Sequence, residues 1–557
     1  MEEVKKEEPP KEEKEMERRE KKLESRIKNW LKDPYIASLA GILIITLIIR
    51  IYYFYITRDQ AVWWDGLCYG AIAKSLLTNR WDNVPIIINE TSIRPWLMSI
   101  VWAGLMKIGI TEIGSKFILV FVPSVLTVIV TYFVAEKMYN KRIAIISAFV
   151  LAVSWIHVFY SMRLLTHIPG LFVSMVSIYY FFKALEKEKL NFKYFTFAVF
   201  FAFASILTRW TYGLAGIVFI FYLFLIEGLG LYLFLAILLA GITKFILGFS
   251  LIIALALFLI PLAIGLWFNK KNIKIFNQKS FWIGGILGST PMILFFIFNL
   301  VKYGKLFPAM ANYAASAAQK TSFFYGTFGF FSHILQQPFF TLFIIGLVVM
   351  AAQLFLGFGL ISKVKKLGSH FFILSLLILN VAFLTFYIRY AEDRYMFECF
   401  ISIILAVAIG LDTIYVYAKK YNKQLAFILV IILLLSGAYF QYTYGNEIIQ
   451  SRKTSYYQMK QAFLWIKDNT PEDSIILGSA IQPYAIYYAD RMPLGHDEIE
   501  ANRSREFDYV IVHAFTPHTQ EYKDFVASIE SNLTVVHAEF FDAQQQEPAV
   551  IVYKYNK

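Results

Sequence analysis

The chain has 557 residues, 58% of them hydrophobic and 18% aromatic, with a mean hydropathy of +0.55. A soluble domain is nearer half apolar, so the composition excludes a soluble enzyme and points to a polytopic membrane protein. The formal charge of +13 is not a nucleic-acid signal, because Lys and Arg cluster in short loops between apolar runs, where the positive-inside rule places them.

Residues 1–33 mix Glu and Lys with one Pro-Pro. They cannot bury a core and read as a disordered, charged cytoplasmic tail rather than a cleavable signal peptide. Fourteen apolar runs follow, near 35–57, 95–110, 115–137, 142–162, 167–186, 193–209, 211–228, 230–246, 247–268, 279–301, 337–361, 369–389, 394–417 and 424–443. About 20 residues span a bilayer core. Keeping the basic loops around 136–142, 183–193, 270–279, 362–366 and 419–423 on one side requires about 13 crossings, with one run between 95 and 137 not crossing and the shortest, 95–110, the candidate for an interfacial or re-entrant helix; the alternative is that one basic loop breaks the rule. This makes 34–443 a multi-span domain with its first external loop at 58–94. Residues 444–557 alternate β-branched stretches (474–478, 509–513, 533–537 and 549–553) with helical ones and read as a small external α/β domain. Sequons at Asn89, Asn502 and Asn532 all fall on the side read as external. The two cysteines, Cys68 and Cys399, lie far apart and suggest neither a disulfide framework nor a metal site.

Asp65 stands out just after the first run. Trp63, Trp64, Leu67, Cys68, Ala71, Ile72 and Leu76 have helical spacing up to Thr78-Asn79, which predicts an amphipathic helix in the interface with Asp65-Gly66 at its start. Asp65 there serves as an N-cap, a general base, or both. Arg94-Pro95 reads as the start of the next helix, and an arginine at a helix N-terminus is a phosphate site; the alternative is a snorkelling anchor. Arg163, Arg209 and Arg394 lie at external ends of apolar runs, where an embedded charge costs on the order of 3 kcal/mol unless it faces a polar cavity or an acid. Glu392-Asp393-Arg394-Tyr395 offers both signs. His157 and His167 flank the same end without metal-ligand spacing, and Asp59, Asp82 and Glu90 read as loop acids. The string Trp63-Trp64-Asp65-Gly66 is similar to the acceptor-sequon signature of oligosaccharyltransferases, but there it belongs to a soluble C-terminal domain, so it is discounted.

Together these residues resemble the dolichyl-phosphate-mannose protein mannosyltransferase and lipid A aminoarabinose transferase superfamily, of GT-C fold and family 39-like. The resemblance rests on Asp65 with Tyr69 in the first external loop, Arg94-Pro95, Ser154 through Tyr160-Ser161-Met162-Arg163, Thr208-Arg209, and Asp393-Arg394-Tyr395, spread over roughly residues 35–540. It departs from the family pattern at Gly66, where an acid is usual and whose role Asp59 would inherit, and at Trp96, where a second Pro is usual. The resemblance implies a membrane enzyme, multi-pass, with its N-terminus cytoplasmic. Its active site and C-terminal domain face outward. Asp65 is the base, Arg94, Arg163, Arg209 and Arg394 meet the donor phosphate, and Asp59, Tyr69, Asp393 and Tyr395 line the substrate site. The donor would be a polyprenyl-phosphate-linked sugar and the acceptor a hydroxyl of protein, lipid or glycan, with no cofactor. The competing reading is a lipid or sugar transporter without transferase activity. A vesicle assay that separates transfer from translocation discriminates the two.

Overall fold

A computed structural model describes residues 32–187, 189–241, 243, 251–270, 273–304, 306, 323–361, 363–385, 392–495, 507–542 and 544–556. Most of the predicted tail, Asn502 and part of the 302–336 loop lie outside the described residues. The protein is a polytopic α-helical membrane protein with a small C-terminal sheet domain.

Helix α1 (Pro34–Ile56) starts on Asp33, whose carboxylate accepts from the Tyr35 N–H, with Pro34 in the first turn. Its 23 residues reach about 35 Å, enough to cross a hydrocarbon core of about 30 Å. The first loop folds into α2 (Trp64–Thr78) and α3 (Pro85–Ile93) and is followed by α4 (Leu97–Lys107). At 11 residues, α4 is only about 16 Å long. Next come α5 (Glu112–Met138), which contains a π turn at Phe117–Phe121, then α6 (Lys141–Val153) and α7 (Trp155–Tyr160). The predicted run 142–162 is therefore broken at Ser154. Fully buried Arg50 of α1 reaches into the break, donating to the carbonyl of Ala152 at 3.1 Å and to Ser124 Oγ at 3.2 Å, and meeting His157 Nδ1 at 2.8 Å. A cation at the carbonyl end of α6 is favourable for the helix dipole.

The chain continues through α8 (His167–Ala184), α9 (Phe192–Thr208), α10 (Gly213–Ile226), α11 (Gly230–Gly241) and α12 (Leu251–Phe268). Helices α13 (Lys279–Gly288) and α14 (Thr290–Tyr303) meet at a 44° bend. After α15 (Phe323–Leu335) come α16 (Phe339–Leu356), α17 (Lys365–Phe383), α18 (Phe400–Lys419), which is preceded by the 3₁₀ segment Asp393–Cys399, and α19 (Lys423–Ser451). Among the described residues six helices are long and apolar enough to cross a membrane, or seven with the bent pair counted as one. Backbones touch where α16 meets α18: a Cβ on Gly346 would stand 1.9 Å from the Ala406 carbonyl oxygen. Small residues of this kind let membrane helices approach closely. At one end of the bundle Lys141 pairs with Asp33, and Arg142 with Asp412. The Asp65 loop follows the opposite end of α1.

Beyond α19, α20 (Tyr457–Asn469) leads into a sheet of β1 (Ile475–Gly478), β2 (Met492–Gly495), β3 (Tyr509–His513), β4 (Leu533–Phe540) and β5 (Pro548–Tyr555), with α21 (Gln520–Ser528) before β4. The order is β2-β1-β3-β5-β4. The first three strands are parallel, with Leu477 opposite both Leu494 and Val510, while β5 is antiparallel to β3 and β4. The four predicted strands are present. Edge strand β2 was not predicted, because four residues containing Pro493 give little strand signal.

This domain is fastened to the first loop. The Val62 N–H donates to Tyr488 Oη at 2.9 Å, and Lys460 pairs with Glu112 at 2.8 Å. Tyr487 meets Trp102 of α4 edge-on at 5.4 Å. Helix α2, expected to lie on the membrane surface, is instead buried over Gly66–Ala73, between α4 and the helical segments Gln482–Tyr484 and Ala485–Ala489.

Candidate active site

The N-cap residue of α2 is Trp63, with no side-chain cap. Asp65 lies one position inside the helix, so its carboxylate is not the cap and is spent on two arginines. Oδ1 accepts from Arg94 Nη2 at 2.9 Å and Oδ2 from Arg394 Nη1 at 2.6 Å. Arg94 also pairs with Glu90, and Arg394 with Glu392. Charges alternate along one line, Glu90, Arg94, Asp65, Arg394, Glu392, and three carboxylates against two guanidiniums leave a net charge of −1. Burial alone would raise the Asp65 carboxyl. Arg94 and then Arg394 outweigh it and hold it at about 2.

Arg94 does not open a helix. It is the C-cap of α3, with its backbone N–H on the Glu90 carbonyl, and α4 begins three residues later at Leu97. Pro95 is not in the first turn of α4, whose N-cap is Trp96; the proline that opens a helix here is Pro85, at the head of α3. Arg94 instead draws its position from Glu90, four residues earlier on α3. The sequence marked Glu90 only as a loop acid, yet it is buried and supplies the second carboxylate. Asp59 does not: it is exposed and pairs with Arg58 at 3.3 Å.

Tyr69 lies with its ring 5.2 Å from the Arg94 guanidinium. The Tyr395 ring is 5.2 Å from that of Arg209 and 5.6 Å from that of Arg394. Arg209 is committed to buried Glu398, Nε to Oε1 at 2.6 Å, which Thr211 also contacts at 2.5 Å. Asp393 accepts from Tyr160 Oη at 3.0 Å. Arg163 stands apart from the Asp65 line, stacked on Phe159 at 3.4 Å and Trp63 at 4.3 Å. The structure thus brings Asp65, Tyr69, Arg94, Arg394 and Tyr395 together, joins Arg209 through Tyr395, and leaves Asp59 out. Cys68 and Cys399 are both buried free thiols.

Gly66 sets where this helix can start. A Cβ there would lie 2.4 Å from the Leu164 carbonyl oxygen, and backbone cannot swing aside. Gly66→Ala is expected to push the Asp65 turn outward and lower turnover by tenfold or more, since an error of 1 Å in placement can cost as much as ~10²-fold. Normal turnover in that variant would show that the contact is slack.

Residues 93–264 match the family model of dolichyl-phosphate-mannose-protein mannosyltransferase. No curated protein matches the sequence. Among solved structures, the Archaeoglobus fulgidus oligosaccharyltransferase tethered to an acceptor peptide is similar over 95% of this chain and 75% of its own, at 14% identity and a TM-score of 0.56. ArnT from Cupriavidus metallidurans in the apo state is similar over 92% of this chain and 98% of its own, at 10% identity and a TM-score of 0.56. The same protein bound to undecaprenyl phosphate gives 11% identity over the same shares and a TM-score of 0.54. The chain therefore shares the overall fold of these membrane proteins over most of its length, and its residues 93–264 match the mannosyltransferase family model.

Proposed function

We propose that the protein transfers a sugar, mannosyltransferase-like, from a polyprenyl-phosphate donor to an acceptor hydroxyl, with inversion at the anomeric carbon. The observation that carries this reading is one carboxylate held between two guanidiniums at the end of the bundle opposite the Lys141–Asp33 and Arg142–Asp412 pairs, which supports a reaction on the external side of the membrane. The isoprenoid stays in lipid while its phosphate meets Arg94 and Arg394. As they turn to the phosphate they release Asp65, whose carboxylate then accepts the proton of the acceptor hydroxyl. The acceptor oxygen bonds to the anomeric carbon, the bond from that carbon to the phosphate oxygen breaks, and polyprenyl phosphate departs with its charge met by the arginines. Two similar structures support the substrate classes, one bound to undecaprenyl phosphate and the other tethered to an acceptor peptide.

Incubating membranes with radiolabelled polyprenyl-phosphate sugars tests the proposal directly. Label should pass to a protein, lipid or glycan fraction. Label that stays on the carrier, or crosses the bilayer still attached to it, defeats the reading.

The depressed Asp65 carboxyl also fixes a pH signature. A carboxyl lowered from 3.8 to about 2 stays ionised in the free enzyme at neutral pH and loses its charge only as pH falls through about 2. The profile of kcat/KM, which reports the free enzyme, should therefore show no acid limb from Asp65 above about pH 3. Arg394→Gln removes one partner and should move that limb upward. An unchanged profile in the variant would mean that Arg394 does not control the carboxylate.

A further inference from the structure

The sequons Asn89-Glu90-Thr91 and Asn532-Leu533-Thr534 have the same pattern, but the fold treats them differently. Asn89 lies within α3, and Thr91 is only 8% exposed. The Thr91 hydroxyl donates back to the carbonyls of Ile87 at 2.7 Å and Ile88 at 3.1 Å. Between the two, Glu90 holds Arg94. This sequon is locked in a helix that belongs to the charged line, with its hydroxyl covered. Asn532 is the reverse case. It ends the 3₁₀ turn Glu530–Asn532, and from Leu533 the chain runs extended as β4. Asn532 and Thr534 are both exposed. In the sheet order β4 is an edge, so among the described residues no strand lies outside it. The far end of β4 faces the helices, where Gln458 of α20 donates to the Phe540 carbonyl at 3.3 Å. The length of the strand puts Asn532 about 25 Å from that end.

The Asn532 amide can carry a substituent without losing its contacts. Oδ1 accepts from Ser531 Oγ at 2.9 Å, and Nδ2 donates to the Asn556 carbonyl at 3.2 Å. A side-chain amide has two hydrogens, so one can keep that bond while a sugar carbon replaces the other. Asn556 Nδ2 in turn donates to Thr534 Oγ1 at 2.8 Å, which leaves the Thr534 hydroxyl its own hydrogen to donate. An open edge strand is a template for pairing with another chain unless something blunts it. Val535, 57% exposed, adds an apolar side chain to this one. A bulky hydrophilic branch at the head of β4 blunts that edge.

We propose that Asn532 is an N-glycosylation site and that Asn89 is left bare. The co-substrate is an oligosaccharide on a polyprenyl phosphate or diphosphate carrier, delivered by a separate oligosaccharyltransferase. Asn532 Nδ2 bonds to the anomeric carbon of the first sugar and gives one proton to that enzyme's base. The bond from the anomeric carbon to the carrier's phosphate oxygen breaks, and the carrier phosphate leaves with the electron pair. The proposal rests on the C-terminal domain facing outward, and not on the protein's own transfer reaction.

Peptide mass spectrometry of the full chain, purified from the membranes of its native host, reads both sequons at once. The Asn532 peptide should carry a mass increment made of saccharide units, and the Asn89 peptide should carry none. Thr534→Val should abolish the increment, because the sequon needs a hydroxyl, and Thr534→Ser should retain it. Both changes are small and sit at an exposed strand position, so the fold should stand. An Asn532 peptide without the increment overturns the proposal, as does an Asn89 peptide that bears one or an increment that survives Thr534→Val. Lys453→Cys, exposed just past the end of α19, separates the two ways of failing. Cys68 and Cys399 are buried, so a membrane-impermeant maleimide added to whole cells should label only the new thiol. Labelling alongside a bare Asn532 refutes the glycan and leaves the outward orientation standing. Labelling only after the cells are opened refutes the orientation, and the glycan with it.

Discussion

Asp65→Asn is expected to slow sugar transfer by about 10²–10⁴-fold, the usual worth of a positioned general base. The amide is nearly the same size, so the turn at the start of α2 should persist. What changes is charge: Arg94 and Arg394 lose the carboxylate they share. Relieved of that competitor, they should bind a polyprenyl phosphate at least as tightly as before. The variant thus combines lost turnover with preserved or improved donor affinity, measured by radiolabel transfer and by direct binding of undecaprenyl phosphate. Full transfer activity would remove Asp65 from the mechanism. Loss of donor affinity would mean that its role is to shape the site.

Arg209→Met is expected to destabilise the protein by about 3–5 kcal/mol, because it strands the buried Glu398 carboxylate. Glu398 is 3% exposed, its Oε1 bonded to Arg209 and Thr211, and its Oε2 has no partner among the described residues. Such a residue owes its position to the acid it neutralises, which separates it from Arg94 and Arg394 despite the shared ring of Tyr395. The paired variant Arg209→Met with Glu398→Met should recover most of the loss, since replacing both members of a buried pair with apolar groups is often near neutral. Thermal unfolding in detergent reads both. If the single variant is as stable as the parent, or the double is worse than the single, Arg209 is not a structural counter-ion and its assignment to the donor phosphate regains force.

These three arginines show how far the sequence could be read. It marked Asp65, Arg94, Arg209 and Arg394 because charges are rare in apolar surroundings, and the fold sets the first between Arg94 and Arg394. It did not reveal what each arginine faces. Glu398 sits inside an apolar stretch that read as one span, and only the fold brings it to Arg209 across 189 residues. The second carboxylate was sought at Asp59 by loop position, whereas Glu90 reaches Arg94 through a helix opened by Pro85. That spacing of four, with a proline at its head, was a usable signal. The break at Ser154 had no such mark, since Arg50 lies in another helix. Likewise the long β-branched strands were plain, and Met492–Gly495 was not.

The latch between Val62 and Tyr488, the pairing of Glu112 with Lys460, and the packing of Tyr487 on Trp102 carry one consequence for anyone handling the protein. The helical bundle and the C-terminal domain share a wall, and that wall is the helix bearing the central acid. Trimming the chain after Ser451 would not yield a leaner catalyst. It would lay bare an apolar flank that has evolved under cover and leave the reactive turn with nothing to lean on.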